Sequence, residues 1–124
     1  MAAPSHSIRT DFQKNILYVT LSGFMQPEQV RTAAEAVKRE ARRLKPGFSV
    51  INDIQQFQPA SQDAVAYIAD AQRFIHGLGP KRIIRVTGGA TVSGLQLKRT
   101  ARQAGYTADT AATVAEAERL ALAP

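Results

Sequence analysis

Phe48-Ser-Val-Ile-Asn-Asp-Ile54, followed by Gln55-Gln-Phe-Gln-Pro-Ala60 and Ser61-Gln-Asp-Ala64, is the stretch whose reading decides the fold. Phe48 to Ile54 has the apolar, β-branched character of a buried strand. Gln55-Gln-Phe-Gln-Pro-Ala60 then reads as a polar turn. Ser61 is a favoured helix N-cap, and Asp63 in the first turn complements the positive helix end. A central strand running through a loop into a helix N-terminus is where open α/β sheets commonly place a binding site.

Upstream, Pro27 suits a first helical position. Val30, Ala33, Ala34, Val37, Ala41 and Leu44 recur as one narrow apolar stripe, and Pro46-Gly47 stops the helix. Before it, Ile8–Phe12 and Ile16–Ser22 read as an opening hairpin, with apolar residues on both faces of the second strand. Residues 1–7 read as a disordered tail ahead of one domain spanning 8–124. Downstream, the helix that starts at Ser61 runs to His76 and ends at Gly77. Arg82–Thr87 is a short strand, and Gly88-Gly-Ala-Thr-Val-Ser93 is a loop. A third helix is expected from Ser93 to about Ala104. A weak strand follows at Tyr106–Thr110, then a last helix opened by the capping-box pair Thr113 and Glu116. The expected architecture is α/β: a mixed sheet, parallel beyond its opening hairpin strand, flanked by about four helices.

A chain of 124 residues can bury roughly two thirds of its unfolded surface without a disulfide or metal. It contains no cysteine, which excludes thiol chemistry, thiolate zinc sites and iron–sulfur clusters. Two histidines, His6 and His76, do not suffice for a multi-histidine metal site, and no metal or other cofactor is expected. No apolar run approaches the roughly 20 residues of a membrane span, and the N-terminus has no signal-peptide core. The expectation is a cytoplasmic protein, and the Ala- and Arg-rich composition fits a bacterial source. The net charge of +6 invites acidic partners or nucleic acid, yet few aromatics accompany the basic residues, which argues against base stacking.

Chemistry-bearing residues are sparse. Asp53, near the end of the central strand, and Gly88, Gly89 and Ser93 in the following loop form a candidate ligand or anion site. Gly89 and Gly94 have the spacing of phosphate-loop glycines, but Leu95 and Gln96 stand where the lysine and hydroxyl belong, which disfavours a nucleoside triphosphatase. No nucleophile, base and oxyanion site assemble, so no enzyme is expected and no catalytic residue is assigned. In the second helix Tyr67 and Phe74 widen the apolar arc beyond a usual surface stripe. That excess suits a partner-binding edge, or a cover supplied by neighbouring helices.

The order of elements and four local motifs resemble the STAS domain of bacterial anti-sigma factor antagonists. The motifs are Leu21-Ser-Gly23 closing the hairpin, Val50-Ile-Asn-Asp-Ile54, Ser61 opening its helix, and Arg82–Gly88 leading to a helix that ends at Gly105, then Thr113-Val-Ala-Glu-Ala117. The resemblance implies a sheet flanked by helices and a regulatory module that docks on a kinase-like anti-sigma factor. It places Ser61 on the family's switch serine, a phosphorylation site. Ala60 stands where the motif has aspartate, and Gln62-Asp63 where it has Ser-Gly. The expected partner-binding residues are Gln58, Ser61, Asp63, Tyr67 and Phe74. The expected partner is a protein, either an anti-sigma factor kinase or a second copy of the chain. A small-ligand or nucleotide-binding domain using Asp53 and Gly88–Ser93 is the alternative.

Overall fold

The computed structural model describes residues 4–59, 61–88 and 109–123. Ser5–Asp11 (β1) and Ile16–Met25 (β2) form the opening antiparallel hairpin. Its turn is set by Asp11, whose Oδ1 accepts a bond from the Lys14 amide at 2.9 Å, and by Asn15 at φ 58°. Asparagine tolerates that left-handed conformation better than most residues. Pro27–Ala41 (α1), Ser49–Pro59 (β3), Gln62–Gly77 (α2), Arg82–Val86 (β4), Asp109–Ala111 (β5) and Val114–Leu122 (α3) follow. The strands lie in the order β1-β2-β3-β4-β5, and every pair after the first is parallel. The expected mixed α/β sheet is therefore present, with three helices among the described residues. The helix expected at Ser93–Ala104 lies outside them, as do Gly89, Ser93 and residues 106–108 of the expected last strand.

Alternation along the strands builds two cores. Leu17, Val19, Leu21, Val50, Ile54 and Ile83 face α1 and α2. Ile16, Tyr18, Ile51, Ile84 and Val86 face α3, which buries Ala117 and Ala121 against them. The stripe read on α1 is the buried one: Val30, Ala33, Ala34, Val37 and Ala41 point inward. The cap at Thr113 also forms, its hydroxyl accepting from the Glu116 amide at 3.1 Å. At the other end of α3, Arg82 donates to the Leu120 carbonyl, and Lys81 donates to that of Ala123 at 2.6 Å. The Leu120 carbonyl also accepts from the Ala123 amide at 3.3 Å, so cationic side chains add to the backbone bonding of this helix terminus.

Several boundaries differ from the sequence reading: β2 runs on to Met25 rather than Ser22, and α1 ends at Ala41, short of Leu44 and Pro46-Gly47. Strand β1 begins at Ser5 rather than Ile8, because β2 is long enough to pair with Ser5, His6 and Ser7. Ser5 Oγ lies 2.7 Å from Ser22 Oγ. The largest correction is at residues 55–59, which are strand and not turn: Gln56–Pro59 pair in parallel with Ser22–Met25. The cause is a bulge. Thr20 opposes Asp53 and Ser22 opposes Gln56, so β3 spends two residues where β2 spends one. Ile54 and Phe57 are three apart and would otherwise face opposite ways. The extra residue returns Phe57 to the same core, where it is buried.

Candidate functional site

The end of β3 and the start of α2 bring Gln58, Ser61 and Asp63 to the surface. Gln58 projects from the strand on the side away from Phe57. Ser61, in extended conformation at φ −161°, caps α2, and its Oγ accepts from the Ala64 amide at 3.4 Å. Asp63 sits in the first turn, at the positive helix end. Removing the cap with Ser61→Ala is expected to cost about 1 kcal/mol, read as a lower denaturation midpoint. Ser61→Gly should cost only a few tenths of a kcal/mol, because glycine is tolerated at an N-cap.

Tyr67 and Phe74 sit elsewhere. Both are half-buried and pack against the core cluster. Phe74 lies under two cations from the C-terminal end of α1, Lys38 at 5.9 Å and the C-cap Arg42 at 4.9 Å from its ring centre. Lys38 also pairs with Asp70 of α2, and with Glu35 at 3.7 Å. The hydrogen bond to Asp70 raises the Lys38 pKa above the ordinary lysine value, against a smaller opposing effect of burial. Much of the extra apolar width of α2 therefore lies along its seam with α1.

Among the described residues Phe12, 54 % exposed, has the Arg43 guanidinium 5.1 Å from its ring centre, and the other exposed phenylalanine is Phe24, at 42 %. It is the register partner of Gln58, so it stands beside the β3–α2 junction on the sheet face opposite α1 and α2. Thr20, Gln56 and Gln58 are exposed on the same stretch of sheet. The sequence carried a signal for this that the reading missed. Val19, Leu21, Gly23 and Met25 alternate inward, which turns Phe24 outward.

Asp53 and Gly88 meet through Gln55. Asp53 Oδ1 accepts from the Gln55 amide at 3.3 Å and from Gln55 Nε2 at 3.0 Å. Gly88 has φ 64°, and a Cβ there would lie 2.9 Å from Gln55 Oε1. Glycine is required at such a position both by the backbone and by the close side chain. A shallow depression of about 130 Å³ lies beside Asp53, Gln56 and Thr20. The Asp53 carboxylate is engaged in ordering the bulge. Among the described residues no three histidine, aspartate or glutamate side chains cluster as a metal site would need, and no helix is long and apolar enough to cross a membrane. The sequence matches no model of a known protein family and no curated protein.

Proposed function

We propose that this chain is a non-catalytic regulatory module that docks on a protein partner through the β3–α2 junction. The observation that carries the reading is the exposed Phe24 in register with Gln58, at the strand end that leads into Ser61 and Asp63. Interfaces favour an aromatic anchor with a polar rim, and this patch has that composition. The resemblance to STAS anti-sigma factor antagonists supports the same end of the sheet and names the partner class, a kinase-like anti-sigma factor. Ser61 is the site at which phosphorylation would act. A phosphate there would add roughly −1.5 to −2 charge next to Asp63, altering the docking surface. A small-ligand site at Asp53 has less support, since that carboxylate already accepts two bonds from Gln55.

The test is binding to purified histidine-kinase-like anti-sigma factors, any encoded beside this chain's gene first, measured by calorimetry. Phe24→Ser and Ser61→Asp should each weaken binding about tenfold or more, equivalent to about 1.4 kcal/mol. Arg31→Ala, on the exposed side of α1, should leave it unchanged. A partner that binds both junction variants as tightly as the wild type would show that the docking surface lies elsewhere.

A further inference from the structure

A cavity of about 60 Å³ lies between the sheet and the α1–α2 layer. It exists because the helices present small side chains there: Ala33 and Ala34 from α1 and Ala71 from α2 line it, and cannot reach down to the strands. Three polar side chains also line it, Gln72 from α2, Asn52 from β3 and the buried Arg85 from β4. Gln72 is only 7 % exposed, and its Oε1 has no hydrogen-bond partner among the described residues. Buried acceptors are nearly always satisfied by protein or by ordered water.

We propose that this cavity is a buried water site that joins α2 to the central strand. The volume suits the ligand: it exceeds the roughly 10–15 Å³ that a cavity needs to hold a water. The chemistry suits it as well. Gln72 Oε1 needs a donor, which water supplies, and the Asn52 carboxamide offers both a donor and an acceptor for the remaining bonds. The space is well below the roughly 150 Å³ of an apolar cavity that takes up benzene, which favours water over an organic guest. The water seat lies under the helix that presents Ser61 and Asp63, and it fixes that helix to β3 without a direct side-chain bond.

High-resolution crystallography of the full chain tests this, together with water–amide cross-relaxation in solution. The expected result is a water within about 2.5–3.0 Å of Gln72 Oε1, with long-lived water signals at amides around the cavity. Gln72→Met, which keeps the volume and removes the acceptor, should lose that water. An empty cavity, a protein donor on Oε1, or density for an organic molecule would each overturn the proposal. So would a water that persists unchanged in Gln72→Met. If that variant does not fold, the two wild-type measurements decide.

Discussion

Phe57→Ala is expected to destabilise the protein by about 3–5 kcal/mol, the usual cost of emptying a buried aromatic site. Phe57 is 4 % exposed and belongs to the core shared by β2, β3, α1 and α2. Its neighbours Gln56 and Gln58 point to solvent, so alanine at either should cost less than about 0.5 kcal/mol. The contrast separates two descriptions of residues 55–59. A surface turn would show small effects at all three positions. A bulged strand shows one large effect flanked by two small ones. Urea denaturation of the three variants makes the comparison. Equal, small losses would mean that β3 ends at Ile54.

The second large effect is alkaline. Tyr18 is buried on the α3 side of the sheet, and its hydroxyl donates to Glu118 Oε1 at 2.8 Å. Burial first, and then the bond to Glu118, push its pKa up from 10.0 to about 12, although the Arg9 guanidinium, 3.8 Å from the ring centre, acts the other way. The folded state therefore holds the phenol proton more tightly than the unfolded chain does. The resulting stability is complete below about pH 10 and is lost as pH rises through 12, a change on the order of 2–3 kcal/mol. Tyr18→Phe lacks this titration. Its stability relative to the wild type should improve steadily between about pH 10 and 12. Urea midpoints for the two proteins across that range check the prediction, and a constant difference would contradict it. Comparing the pair cancels other alkaline groups, Lys38 among them.

The elements whose local chemistry agrees with their surroundings were readable from the sequence. Pro27 and the alanine–valine stripe locate α1, Ser61 and Thr113 cap their helices, and a helix between successive strands implies parallel pairing. What the sequence concealed depends on pairing between distant residues. The extension of β3 needs a bulge opposite Leu21, and period-two reasoning cannot carry Ile54 and Phe57 onto one face without it. The start of β1 is polar, and it is strand only because β2 continues far enough to pair with it. Arg85 shows the same limit from the other direction. An arginine in a short strand reads as a solvent-facing residue, yet this one is 1 % exposed.

The candidate surface was legible in part. Gln58, Ser61 and Asp63 share an exposed region because they flank one strand-to-helix junction. Tyr67 and Phe74 come from the same helix, but one-dimensional amphipathicity does not say which neighbour takes up a wide apolar arc. Here the cations at the C-terminal end of α1 lie over Phe74. Phe24 is distant in sequence from the junction and reaches it only through the β2–β3 register.

The docking claim is tested most directly by mapping amide chemical shifts of the labelled chain as an anti-sigma-type partner is titrated in. The largest changes are expected at Phe24, Gln58, Ser61 and Asp63, with the outer face of α1 from Arg31 to Arg39 unaffected. Saturable binding that shifts the α1 face and leaves those four residues unmoved would contradict the account.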